Sequence, residues 1–289
     1  MLPLPMPYSL MIARFPGQNQ EHPASAGYVI NLMETLHNDD RVATIHPWSL
    51  SDTPITMSRN RCIKEALAKR LDYVLMIDSD MSPDCEAGAP PFWETAWEFM
   101  MERRSEEERY RQGIRDILGK HELAPNESNI VAEARKQFPS ATIAAPYCGP
   151  PPVEHVYVFR WAEKEGQTAD PNFKLEMIDR DDAARRTGIE EVAALPTGLI
   201  LYDTRVFAQL PAPWFDYEWA DEPFRTIKAS TEDVFQTRNA SLMGLPQYCT
   251  WDCWAGHIKT KVVCKPQPLT IQTMRNEFAD AILRARSSA

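Results

Sequence analysis

No stretch of this sequence approaches the roughly 18 to 20 consecutive apolar residues that a membrane-spanning helix needs. Cysteine is scarce, with six residues in 289, too few for a disulfide scaffold in a chain of this size. Positive charge is outnumbered, 31 Lys and Arg against 41 Asp and Glu, giving a net charge of -10. Non-specific affinity for nucleic acid comes from clustered cations that displace counterions, so this balance argues against a general polyanion binder. A local basic path along Arg59, Arg61, Lys64 and Lys69, or Lys259, Lys261 and Lys265, stays open. The opening text MLPLPMPYSLMIA has no basic stretch followed by an apolar one and is broken by proline, so no secretory signal is expected. The expectation is a soluble, intracellular, cytoplasmic protein. No internal repeat and no low-complexity tract is found.

What is present is ordinary globular text, 44% hydrophobic and 25% charged, expected to form one large domain over residues 1–289. Residues 8–13 read as a strand, 27–37 as a helix, 42–46 as a second strand, 57–70 as a helix and 73–77 as a third strand. Alternating strands and helices with short connections predict an α/β fold, a mixed and mainly parallel sheet flanked by helices. Between residues 88 and 138 the text turns helical and highly charged, and reads as a helical insertion, a lid or an interaction arm. Further strands are expected at 141–145, 155–161, 173–178 and 198–202, and a helix at 231–244. The 24 prolines gather in the connections and predict rigid loops.

The third strand, YVLMI, runs straight into Asp78, Ser79 and Asp80. A continuous apolar run is what a strand buried on both faces looks like, and packing does not account for two carboxylates at its carboxyl end. In parallel sheets ligands bind at that end. Paired carboxylates suit a hard cation such as Mg²⁺ or Mn²⁺, while an Asx turn closing the strand is the structural alternative. Ser230-Thr231-Glu232-Asp233 opens a helix, where an N-cap and first-turn acids explain the same letters. His257 lies in WDCWAGHIKTK, and an imidazole there is either a metal ligand or a satisfied structural group.

The ordered set of a strand-terminal D-x-D, a later E-D at a helix start and a G-H-x-K resembles the GT-A-fold nucleotide-sugar glycosyltransferases, phage-type members in particular. Ser58-Arg59-Asn60 and PTGLILYDTRVF add to the likeness, which extends from Tyr8 to about Pro266. The resemblance implies a GT-A, Rossmann-like fold and transfer of a sugar from a nucleoside-diphosphate sugar to a hydroxyl, with Mn²⁺ or Mg²⁺. Asp80 would hold the metal, His257 would be a further ligand, and Asp78 would touch the ribose or the metal through water. Lys259 would lie near the diphosphate, and Arg59 and Asn60 on the nucleotide side. Asp233, or Glu232 beside it, would be the base at the acceptor. Gly198 would let a sugar approach the backbone, although strand packing explains a glycine equally well. Trp219 and Asp216, in PWFDYEW, would face the acceptor or simply pack a loop. A hydroxylated DNA base is one acceptor the phage-like look suggests, and a phage protein would work in the host cytoplasm.

Two rivals compete. Cys249, Cys253, His257 and Cys264 carry zinc-ligand residue types at a loose spacing, and a closed zinc site would make the chain a binding or interaction module. A nucleotidyltransferase also needs paired carboxylates and a metal, but it usually has a glycine-rich phosphate loop early in the chain. FPGQNQ holds a single glycine.

Overall fold

A computed structural model describes residues 7–16, 21–51, 54–121, 123–162, 174–220, 225–226, 228–258 and 262–263. The chain runs through β1 (Tyr8–Phe15), α1 (Pro23–His37), β2 (Val42–Ser49), α2 (Ile55–Ala68), β3 (Tyr73–Asp78), β4 (Met81–Ser82), α3 (Phe92–Lys120) and α4 (Glu127–Gln137). It continues through β5 (Thr142–Ala144), β6 (Phe159–Trp161), β7 (Leu175–Met177), α5 (Arg180–Ala183), β8 (Ile189–Val192), β9 (Leu199–Asp203) and α6 (Arg205–Gln209). The last elements are β10 (Glu218–Trp219), β11 (Lys228–Ser230), α7 (Glu232–Leu242), β12 (Gln247–Thr250), β13 (Gly256–Ile258) and β14 (Val262–Val263).

Seven strands form the central sheet in the order β2-β1-β3-β9-β5-β12-β8. β2, β1, β3, β5 and β12 run one way, while β9 and β8 oppose them, so the sheet is mixed and mainly parallel. Side chains alternate between two faces along each strand. On β3, Val74 and Met76 join one core together with Cys62, Ile63 and Ala66 of α2. Tyr73, Leu75 and Ile77 join the opposite core with Val29, Leu32 and Leu36 of α1 and Trp93, Trp97 and Met100 of α3. Helices on both faces bury the sheet twice, which is why its central strands are apolar without interruption. The result is a Rossmann-like α/β architecture.

The connection order sets the site. From β1 the chain passes over one face through α1 to β2, then over the other face through α2 to β3, so β1 and β3 flank a topological switch point. Ligand crevices form outside the carboxyl ends of such strands, and the register brings Phe15 beside Asp78 there. α1 starts in the same place: Pro23 occupies its first turn, and Ser25 Oγ donates to the Asp78 carbonyl at 3.4 Å.

The expected helical insertion is more integral than a lid. Phe92, Trp93, Ala96, Trp97 and Met100 of α3 are buried, and only the following turns with α4 form a charged outer pair. Glu107 in mid-helix is buried and accepts from Arg205 Nη1 at 2.9 Å, and Arg205 also pairs with Asp203 at the end of β9. Arg104 donates to Tyr73 Oη at 2.9 Å. This ionic knot ties α3 to the sheet at the end of β3 remote from Asp78. No helix among the described residues is long and apolar enough to cross a membrane.

Candidate active site

β3 ends at Asp78, residues 79 and 80 turn, and the chain resumes as β4. The two aspartates therefore do different things. Asp78 receives Arg59 Nη2 at 2.9 and 2.8 Å on its two oxygens. Arg59 Nη1 reaches 2.7 Å to Glu232 Oε1, at the start of α7 and 173 positions later in the chain. Arg59 is itself buried, with Phe15 and Phe215 rings beside the guanidinium. Burial works against its charge, but Asp78, Glu232 and Asp233 outweigh that effect and hold Arg59 firmly cationic. Burial pushes both carboxyls of Asp78 and Glu232 upward, and the Arg59 charge opposes the rise only in part. Arg59 is thus a clamp between β3 and α7, with both terminal nitrogens engaged by protein.

Asn60, expected on the nucleotide side, is equally engaged. Its amide donates to Thr56 O and Phe215 O at 2.8 and 2.7 Å, and its oxygen accepts from the Trp214 and Phe215 N–H groups. It pins the 214–215 segment that leads to the aromatic loop. There Tyr217 lies close enough to Glu232 for burial and that carboxylate to raise its phenol. Trp219 stands edge-on to Tyr217 at 6.1 Å, and Asp216 Oδ1 accepts from the Tyr217 N–H in a local turn.

Asp80 faces His257. β13 pairs with β4, bringing His257 opposite Met81, and the Ile258 N–H donates to the Asp80 carbonyl at 2.7 Å. His257 Nε2 lies 3.4 Å from Asp80 Oδ2, while Nδ1 is 2.9 Å from the Cys148 carbonyl oxygen. A carbonyl can only accept, so Nδ1 carries the proton and Nε2 points at the carboxylate. Nε2 and Oδ2 thus present a nitrogen and an oxygen side by side. An imidazole nitrogen and a carboxylate oxygen are both donor types that divalent cations accept, while no group of three or more His, Cys, Asp or Glu that could hold an ion forms among the described residues.

The E-D pair behaves as follows. Thr231 is at the N-cap position of α7, but its hydroxyl bonds the Asp233 carboxylate instead of capping the helix. Asp233 Oδ1 also accepts from the Val234 N–H at 2.9 Å, and Oδ2 has no hydrogen-bond partner among the described residues. Tyr147, just past β5, was not a sequence-level candidate. Burial and then the charges of Asp233 and Asp78 raise its phenol well above the usual range, so it sits protonated among the site's acids. Gly198 gives its hydrogen-only face to protein: a Cβ there would lie 2.8 Å from Tyr147 Cε1 and 2.9 Å from Met81 Sδ. Packing accounts for this glycine.

For the zinc alternative, Cys249, Cys253 and His257 do not gather into a metal-holding group among the described residues, and His257 is turned to Asp80 and Cys148. Cys264 and Lys259 lie outside the described residues.

No family model matches the chain, and no curated protein sequence does. Among solved structures, the protein A197 from STIV aligns over 91% of this chain and 96% of its own, at TM-score 0.46 and 12% identity. A putative glucose-1-phosphate thymidylyltransferase from Bacillus anthracis aligns over 86% and 89%, at TM-score 0.38 and 10% identity. HddC from Yersinia pseudotuberculosis aligns over 86% and 93%, at TM-score 0.29 and 9% identity. These likenesses are distant, and the chemistry of the site rests on its own geometry.

Proposed function

We propose that this chain transfers a sugar from a nucleoside-diphosphate sugar to a hydroxyl acceptor, using Mn²⁺ or Mg²⁺ held by Asp80 and His257. The observation that carries this reading is the Asp80–His257 pair, 3.4 Å apart at the carboxyl end of β3, with the imidazole tautomer fixed from behind. Such a two-ligand site is incomplete by itself, and a diphosphate is the natural source of further oxygen ligands. When bound, the cation would neutralise charge developing on the nucleoside-diphosphate leaving group. A nitrogen donor in the pair favours Mn²⁺ over Mg²⁺.

The chain's own residues supply the rest. Arg59 holds Asp78 and Glu232 in fixed positions and keeps the two ends of the site in register. At the start of α7 Asp233 presents an oxygen that no described residue engages, suited to take the acceptor hydroxyl proton as the hydroxyl oxygen bonds to the anomeric carbon and the diphosphate leaves. Glu232 is the less suited base because Arg59 occupies it. Tyr217, Trp219 and Asp216, on the segment that Asn60 pins beside Glu232, would face the acceptor, and Lys259 directly follows β13 in sequence.

A thermal-shift screen tests the reading: UDP-, GDP-, TDP- and CMP-linked sugars, each with and without Mn²⁺, beside nucleoside triphosphates paired with sugar 1-phosphates. A ligand that binds only the folded chain raises its apparent stability. Stabilisation by one sugar nucleotide that requires Mn²⁺, followed by transfer to a hydroxyl acceptor such as hydroxylated DNA, is expected. Turnover of a triphosphate with a sugar 1-phosphate would instead establish nucleotidyl transfer.

A further inference from the structure

One short segment borders the His257 imidazole, and two glycines border the tyrosines of that segment. Cys148 gives its carbonyl to Nδ1, and its neighbour Tyr147 places its ring edge-on to the His257 ring at 4.9 Å. Tyr157 approaches the same ring at 6.4 Å and Tyr147 at 5.6 Å. The segment folds back on itself: Cys148 bridges Val156, and the Gly149 N–H donates to His155 O at 2.8 Å. Each tyrosine is seated on a glycine. A Cβ on Gly149 would come within 2.5 Å of the Tyr157 hydroxyl, and one on Gly198 would strike both Tyr147 and Met81, the residue paired with His257.

We infer that the 147–157 segment is a positioning device for His257: it fixes the imidazole as the Nδ1–H tautomer and aims Nε2 at Asp80, with Gly149 and Gly198 kept bare to seat its two rings. Tyr147 and Gly198 are positioning residues that act on the metal through His257. The geometry stands independently, while its purpose rests on the metal reading above. A carbonyl fixing the far nitrogen of a ligating imidazole sets both its tautomer and its direction.

The test reads the ring itself in the full-length, metal-free chain. Long-range ¹H–¹⁵N correlation spectra of ¹⁵N-histidine-labelled protein are recorded at about pH 9, above the ordinary imidazole range. His257 is assigned by the signal lost in His257→Asn. The wild type is expected as the Nδ1–H tautomer. Gly198→Ala, which crowds Tyr147 and Met81, is expected to introduce the Nε2–H form and to weaken Mn²⁺ binding in the presence of UDP by about 10- to 100-fold. Tyr147→Leu removes the ring without adding bulk, and should move both readouts the same way if Gly198→Ala does not fold. A wild-type Nε2–H tautomer would overturn the inference, as would wild-type tautomer and affinity in the folded variants. Failure of the wild type to bind Mn²⁺ with UDP would reject the metal reading, and the tautomers of wild type and variants would still decide the support role.

Discussion

Arg59→Gln is the most informative single perturbation of the fold around the site. The wild-type guanidinium side chain is 3% exposed, and its partners Asp78 and Glu232 are 23% and 12% exposed, so solvent screens these pairs little. Removing the cation strands two carboxylates that burial already pushes toward the neutral form. Breaking a buried pair by deleting one partner costs about 3–5 kcal/mol. At about 2–4 °C per kcal/mol for a large domain, the midpoint should fall by roughly 6–20 °C at pH 7. Glutamine keeps hydrogen-bonding capacity, so the loss reports mainly the charge. Urea unfolding followed by far-UV circular dichroism gives the free energy directly. The control is the triple variant Arg59→Met, Asp78→Asn, Glu232→Gln, which removes all three charges and should return to within about 1–2 kcal/mol of wild type. A single Arg59→Gln variant as stable as wild type would refute the clamp, because it would mean that Asp78 and Glu232 do not depend on Arg59.

Asp78 and Glu232 have raised folded-state values, so the folded chain holds protons that the unfolded chain releases; their contribution to stability grows as pH falls through those raised values and stops growing below the ordinary 3.8 and 4.5. The difference in unfolding free energy between wild type and the Asp78→Asn, Glu232→Gln double variant should therefore shift toward wild type on mild acidification, and a pH-independent difference would contradict it. Asp233→Asn should lower transfer by about 10²- to 10⁴-fold while Mn²⁺ and donor binding are spared, as measured by turnover beside calorimetric titration. Glu107→Gln, in the ionic knot remote from Asp78, should cost about 3 kcal/mol in urea unfolding and leave Mn²⁺ affinity unchanged.

The parts of this architecture that the sequence made legible share a cause. β3 stands out because burial on both faces leaves a continuous apolar run, and Asp78 and Asp80 stand out because nothing apolar explains them. β8 and β12 were not expected: IEEV and QYCT are short, and each puts polar side chains in a sheet where Gln247 and Thr250 are buried. The helical character of α3 was plain from its text, but its membership in the core was not. Trp93 and Trp97, four apart and stacked at 4.9 Å, were the signal that its first turns face the sheet. Arg59 looked like a ligand-binding cation because its partner Glu232 is remote in sequence. Tyr147 was hidden because its place depends on Gly198 from another strand and on His257 from the far end of the chain.

The decisive measurement is electron-nuclear double resonance on Mn²⁺ bound with a nucleoside diphosphate, using protein labelled with ¹⁵N-histidine. A directly bonded ¹⁵N coupling that disappears in His257→Asn, together with loss of Mn²⁺ binding in Asp80→Ala, is the expected result. A Mn²⁺ signal with no nitrogen coupling, or one unchanged in both variants, would contradict the account.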